Sequence, residues 1–386
     1  MNSMRDVVAQ MHRWWGEGEP FARATVVATW HSSPLPPGTS MLVGPDGAAI
    51  GSVSGGCVEG AVYELAQEVT DSGRPVLERY GVSDDDAFAV GLTCGGIIDV
   101  YVERIDPAGF PELDQVAEAV AAGEPVAEVI CVAVDGPDPE GRLGRRLVVR
   151  PEGTFGSLGS GRLDAAVAED ARALLAGGRT ETLAYGYDGV RMDEELTLFV
   201  SVHATPPRML VFGAVDFAAA MARIGTYLGY HVTVCDARPV FATARRFPEA
   251  HEVVADWPHR YLRTEAEAGR IDERTVVCVL THDPKFDVPL LDVALRLPLA
   301  YVGAMGSRRT HDDRLRRLRA TGLGEEALAR LASPIGLDLG ARTPEETAVS
   351  IAAEIIADRW GGSGTRLTSL SGSIHRQQPM RPAAGG

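Results

Sequence analysis

The chain has 386 residues, 45% of them apolar and 23% charged, with a formal net charge of −16. That length predicts two to three domains, each with its own core. The acidic balance repels nucleic acid and anionic lipid, so any phosphate-bearing ligand must be held by a local site. No apolar run reaches the ~18 residues of a membrane span. The start, MNSMRDVVAQMHRWWGEG, reads as an amphipathic helix rather than a signal peptide, and the expected location is cytoplasmic. Lys285, in HDPKFD, is the sole lysine, and with no G-x-x-x-x-G-K pattern a P-loop NTPase is excluded. The five cysteines, Cys57, Cys94, Cys131, Cys235 and Cys278, form no C-x-x-C pair, which argues against zinc ribbons and iron–sulfur ligation.

In chain order, apolar alternation predicts a strand over 23–31, followed by a Pro/Gly loop over 32–40 and a hairpin over 41–54 around GPDG. Val58, Val62, Leu65, Ala66 and Val69 have helical spacing, and DSG (71–73) ends that helix. Strands follow at 75–82 and 93–105, a helix at 111–122, strands at 126–134 and 145–150, a helix near 164–176 and a strand at 196–204. TPP (205–207) marks a domain boundary. Beyond it, strands at 208–213, 231–238, 251–255, 275–282 and 299–306 alternate with helical segments, which implies a parallel sheet covered on both faces. Thr343, Pro344 and Glu346 announce the last helix as a capping box with proline at its first position. Residues 361–386 have the composition of a flexible tail, and no internal repeat is evident.

Chemistry concentrates at glycine turns. In SVSGGCVEG (52–60), Gly55 and Gly56 permit positive φ just before a helix. Backbone N–H groups and the helix field at such a turn suit an anion, and the same field favours a thiolate at Cys57. The competing reading is a steric turn with a small thiol as filler; Glu59 follows two positions on. Cys94, before Gly95 and Gly96, mirrors that arrangement, as a second loop facing one ligand or as a buried strand start. In the second half, Gly213 and Asp236 have the layout of a dinucleotide fold, but Val215 stands where the middle glycine should be and Asp216 beside it repels phosphate. Gly303, Gly306, Ser307, Arg308 and Arg309 form either an anion site or a helix start. His282 is expected on the carboxyl edge of the sheet, and Asp338 is either a ligand contact or a turn former.

GTSMLVGPDGAAIGSVSGGCVEG, GLTCGGIIDVYVE, AYVGAMGSRRT and PIGLDLGARTPEETAVSIAAEI together resemble the XdhC/CoxI family over about residues 10–360. Its members are accessory proteins of xanthine dehydrogenase and related molybdenum hydroxylases. The resemblance implies an α/β chain: an N-terminal mixed α+β domain (1–204), a C-terminal Rossmann-like, doubly wound parallel sheet (205–360) and a tail (361–386). It implies a chaperone that binds molybdenum cofactor, supports its sulfuration by a cysteine desulfurase and delivers it to the apo molybdenum hydroxylase, rather than a turnover enzyme. Cys57, as the metal contact, and Cys94 would then supply soft sulfur. Gly55, Gly56, Glu59, Gly95, Gly213, Asp236, His282, Gly303, Gly306, Ser307, Arg308, Arg309 and Asp338 would line the cofactor. A homodimer is expected, with no nucleic acid or membrane partner. The family commonly has G-A-G-H where this chain has Gly213-Ala214-Val215-Asp216, which weakens any nucleotide role. The alternative is an NAD(P)-dependent oxidoreductase, or a xanthine dehydrogenase subunit, using the Rossmann-like domain.

Overall fold

The computed structural model describes residues 4–30, 33, 35–81, 96–138 and 140–371. They fall into two units, one ending at Thr205 and one running Pro206–Ser371. Among the described residues no helix is long and apolar enough to cross a membrane.

The first unit begins with α1 (Met4–Glu17), β1 (Phe21–Trp30), β2 (Ser40–Val43), β3 (Ala49–Gly51), α2 (Glu59–Ser72), β4 (Val76–Tyr80) and β5 (Ile97–Ile105). The succession then repeats as α3 (Leu113–Ala122), β6 (Val126–Val134), β7 (Arg146–Arg150), β8 (Gly153–Gly156), α4 (Gly161–Gly177), β9 (Glu181–Tyr185) and β10 (Leu196–His203). Each half makes one five-stranded antiparallel sheet, ordered β3-β2-β1-β5-β4 and β8-β7-β6-β10-β9. The two orders are identical, so the unit is a tandem repeat, contrary to the sequence reading.

Matching positions lie as far apart as Arg23 and Glu128, whose separation is 105 residues. Val62 and Val167, Ala66 and Ala171, Val69 and Leu174, and Tyr80 and Tyr185 are such pairs, and all are buried under α2 or α4. Gly73 and Gly178, another pair, close the two helices in the left-handed conformation that glycine adopts without strain. The repeat hides from inspection because, although Val62, Ala66 and Tyr80 keep their letters at Val167, Ala171 and Tyr185, most positions around them differ. The connections into β5 and β10 also differ in length, which breaks the register.

The halves meet about an approximate twofold relation. Val27 and its counterpart Val132 share one small core with Tyr101 and Phe199. Beside it lies a buried quartet of charges. Arg23 donates to Glu103 (2.6 Å) and Glu128 (2.5 Å), while Arg146 donates to Glu128 (3.1 Å) and to Glu103. Two guanidiniums and two carboxylates balance, which is how four charges tolerate exclusion from water.

The second unit contains β11 (Arg208–Phe212), α5 (Asp216–Tyr227), β12 (His231–Asp236), β13 (Glu252–Ala255), α6 (Pro258–Glu267) and β14 (Val276–Val279). It continues with α7 (Pro284–Ala294), β15 (Tyr301–Ala304), α8 (Arg308–Ala320), α9 (Glu325–Ala329), β16 (Leu331–Ala332) and α10 (Pro344–Trp360). Its six strands are parallel and ordered β13-β12-β11-β14-β15-β16. That is the doubly wound order, reversing direction between β11 and β14. The strands are near-continuous apolar runs because both faces are covered, α5 and α10 on one and α6, α7 and α8 on the other. The capping box at Thr343 and Glu346 is present, with Pro344 at the first helical position.

Candidate functional site

The Ser52–Glu59 loop leads from β3 into α2. Gly55 and Gly56 take φ of +78° and +116°, and both are exposed with open space where a side chain would stand. They are glycines for conformation, as expected. Their amides do not face an empty cradle, however. The Glu59 carboxylate turns back and accepts from the Ser52 hydroxyl (2.5 Å), the Ser54 hydroxyl (2.6 Å) and the amides of Val53 (3.3 Å), Ser54 (2.8 Å), Gly56 (2.8 Å) and Val58 (3.2 Å). The Gly55 amide goes to Ser52 Oγ, and the Cys57 amide to Ser54 Oγ.

The anion at this helix end is therefore the chain's own carboxylate, which corrects the expected open anion pocket at Gly55, Gly56 and Cys57. It also corrects the reading of Glu59 as a cofactor contact. Burial raises the Glu59 pKa, but the two serine hydroxyls and the backbone donors outweigh it and hold the group at about 2. Cys57 is left half-buried at the edge of the α2 core, its backbone fixed by this web. Sequence reasoning missed Ser52 and Ser54, although a Ser-x-Ser with an acid five residues on was the available signal.

The repeat supplies an internal comparison. Ser157 is the counterpart of Ser52, and Asp164 of Glu59. Asp164 accepts from the Ser157 hydroxyl (2.7 Å) and the Leu158 amide (2.7 Å), so the same self-closing loop recurs before α4. At the position of Cys57 the second copy has Arg162, so the thiol belongs to the first copy alone.

Cys94 and Gly95 lie outside the described residues. Cys131, Cys235 and Cys278 are buried, and burial pushes each thiol up to about 12, so they are core fillers rather than reactive sulfurs. Among the described residues no group of three or more His, Cys, Asp or Glu is placed to hold a metal ion. A single soft thiolate such as Cys57 fits a dithiolene-bound metal that brings sulfur ligands of its own.

In the second unit, Asp236 ends β12, and Gly213, His282 and Gly306 lie in the loops just beyond β11, β14 and β15, all at the carboxyl edge of the sheet. Gly213 has φ +112°, and a Cβ there would lie 2.7 Å from Thr281 Cγ2, so this turn is pressed against the end of β14. Asp236, 3% exposed, accepts from the Ala214 amide (2.7 Å), twice from the Arg238 guanidinium and once from the Arg238 amide (2.9 Å each). Burial raises its pKa, but the Arg238 and backbone bonds prevail and the net shift is downward. The carboxylate a ribose would require is thus spent internally. With Val215 capping α5 and the Asp216 carboxylate at its start, these residues do not fit a dinucleotide.

Gly303, expected to offer a backbone donor, sits inside β15 instead. Its Cβ would fall 2.5 Å from Ile335 Cδ1, so the residue serves close packing. Gly306 follows with φ +155°, and Ser307 caps α8 through the Thr310 amide (3.2 Å). Arg308 and Arg309 are exposed, with no ion-pair partner among the described residues, whereas Asp313 pairs with Arg316 and Arg317. His282 and Asp338 are exposed on loops. The sequence did not reveal Asp287 and Arg314, both 3% exposed. Arg314 bonds Asp287 (3.1 Å), the Met305 carbonyl (2.8 Å) and Ser333 Oγ (2.8 Å), fastening α8 to α7 and to two loops at this edge. Burial raises the Asp287 pKa despite bonds from Thr281 and Arg314.

Comparison with known proteins matches both units. The XdhC Rossmann domain matches residues 209–355, and the XdhC and CoxI family matches two segments, 14–81 and 119–186, one in each copy of the repeat. A protein of Bacillus subtilis (strain 168) named as a probable xanthine dehydrogenase subunit is 28% identical over 338 residues, covering 87% of this chain and 92% of that one. The molybdenum cofactor insertion chaperone PaoD of Escherichia coli (strain K12) is 26% identical over 342 residues, covering 89% of this chain and 84% of PaoD. A crystal structure from Bacillus halodurans, described as a xanthine dehydrogenase, superposes with a TM-score of 0.66 at 26% identity, over 94% of this chain and 97% of that one. By its motifs, its parallel C-terminal sheet and these matches, the chain belongs to the XdhC/CoxI family.

Proposed function

We propose that this protein is a molybdenum cofactor insertion chaperone for a xanthine-dehydrogenase-type hydroxylase. In this reading it is a carrier rather than a turnover enzyme: it holds the cofactor, presents it to a cysteine desulfurase for sulfuration and passes it to the apo-hydroxylase. The observation that carries the reading is the self-closed Ser52–Glu59 loop, which fixes Cys57 beside two exposed glycines. The name of PaoD supports the cargo.

The cofactor supplies the redox-active metal, and this chain's residues position it. Cys57 offers a soft sulfur to the metal side. Gly55 and Gly56, without side chains, let a bulky ligand approach. Nothing in this role requires a nucleotide in the Rossmann-like unit.

The test is Cys57→Ser in protein purified from a host that makes molybdenum cofactor. The expected result is unchanged thermal stability with molybdenum and pterin content at least about tenfold lower, the loss of one good contact being worth ~1.4 kcal/mol. Equal pterin and molybdenum in the variant removes Cys57 from the reading. Saturable NAD(P)H binding to a pterin-free wild type favours the oxidoreductase alternative.

A further inference from the structure

The seam between the two copies in the first unit holds two matching hollows of very different size. In one copy Val26 exchanges backbone hydrogen bonds with Gly38 and Thr39, and in the other its counterpart Cys131 does so with Gly144 and Arg145. Thr25 pairs with Tyr101 and its counterpart Ile130 with Phe199, so those two rings correspond as well. Gly18-Glu19-Pro20 and Gly123-Glu124-Pro125 align α1 with α3, which makes Val7 the counterpart of Glu112. At the first hollow Val7, Val8 and Met11 of α1 lie over the strands and leave a cavity of about 20 Å³. At the second, the helix begins only at Leu113, because Pro111 keeps Phe110 out of helical backbone. What remains there is an open groove of about 470 Å³, the size of a small-molecule site.

The differences between the copies indicate the occupant. Where the closed copy has Val7, Thr39 and Phe199, the open one has Glu112, Arg145 and Tyr101, and all three line the groove. Arg145 is exposed, donates to the Gly141 (3.0 Å) and Glu140 (2.8 Å) carbonyls, and makes no salt bridge among the described residues. Asp138, which feels its charge, is bonded to the Arg142 and Leu143 amides instead. Glu112 is half-buried and makes no side-chain hydrogen bond or salt bridge among the described residues. Tyr101 is 1% exposed, and its hydroxyl, beside Gly144, has no hydrogen-bond partner among them. Phe199 shows that packing at this place requires only the ring. A guanidinium and a carboxylate without counter-charges, on one groove, suit a molecule that carries both signs. We infer that the groove binds a small zwitterion of the α-amino acid class, its carboxylate on Arg145 and its ammonium on Glu112. The Tyr101 hydroxyl donates to the same carboxylate past Gly144, which has no side chain to intervene. The groove flanks Gly73 at the C-terminal end of α2, whereas Cys57 precedes the N-terminal end, so this site is separate from the cofactor loop.

Thermal-shift screening of the full-length protein against each of the common free amino acids at millimolar concentration, followed by calorimetric titration of the strongest, tests this. Saturable binding to the wild type is expected. The N-acetyl and carboxamide forms of the same amino acid, each lacking one charge, should bind at least about tenfold more weakly, a comparison that needs no variant to fold. Arg145→Gln and Glu112→Gln should each weaken binding of the parent amino acid by a similar factor. Tyr101→Phe, which installs the residue of the other copy, should also weaken it and should raise the melting temperature of the ligand-free protein, because an unpartnered buried hydroxyl is a cost. A wild type that binds no amino acid, or an affinity that neither Arg145→Gln nor Glu112→Gln changes, overturns the inference. An N-acetyl form that binds as tightly as its parent makes the groove a site for simple anions and refutes the zwitterion.

Discussion

Glu128→Ala is expected to be the most destabilising single change in the first unit, lowering its stability by about 4 kcal/mol. Glu128 is 2% exposed and accepts from both Arg23 and Arg146. Removing it leaves two guanidiniums, 9% and 7% exposed, to share the single carboxylate of Glu103. A buried charge without its counter-charge cannot be rehydrated, because the quartet is enclosed between the two sheets. For a unit of this size the loss corresponds to a fall of about 10 °C in melting temperature. The second unit, with its own cores, should keep its transition. Calorimetry of the full chain would show the first transition moving alone. The double variant Arg23→Met with Glu128→Met should recover at least half of the loss, since it leaves Arg146 paired with Glu103. Failure of that recovery would mean that shape rather than charge balance governs the site.

Glu59→Ala comes second. A shift from the ordinary 4.5 to about 2 corresponds to about 3 kcal/mol at most, and solvent at the open side of the loop reduces this to about 2. Glu59→Gln should cost nearly as much, because its amide nitrogen would present a donor to a cage built of donors. The pH dependence has a definite sign. The folded pKa lies below the unfolded one, so the stabilisation is complete above about pH 4.5 and disappears as pH falls toward 2. The stability difference between wild type and Glu59→Ala should therefore shrink across that window. Cofactor retention in Glu59→Ala at neutral pH should fall with Cys57→Ser, because the loop no longer holds the thiol in place. An unchanged stability difference at pH 2 would show that the carboxylate is not what closes the loop.

Most of the second unit was legible in its sequence. Apolar runs such as RMLVF and TVVCV are long enough to signal buried parallel strands, and Thr343, Pro344 and Glu346 mark a helix start through purely local chemistry. In the first unit most elements were legible, but β8 and β9 were not, and neither was the duplication, because identities such as Val62 with Val167 or Ala66 with Ala171 are scattered among many positions that differ. At the site, Gly55 and Gly56 were readable because positive φ is a property of single residues. The capture of the loop amides by Glu59 was not, since a carboxylate close in sequence to a helix start reads equally well as a ligand contact. Asp287 and Arg314 stayed hidden for a related reason: their pairing exists only after α7 and α8 have been packed side by side.

Joining the two halves of the first unit in one chain has a further effect. In an assembly of two identical protomers, residues on the axis confront themselves, and an arginine at position 23 would face another arginine. Within a single polypeptide the matching places mutate separately, so Arg23 can stand opposite Glu128 and the pair can be neutral. The same release lets one loop carry a sulfhydryl and its twin a guanidinium, two chemistries on a shared scaffold that no homodimer of half-length chains could separate.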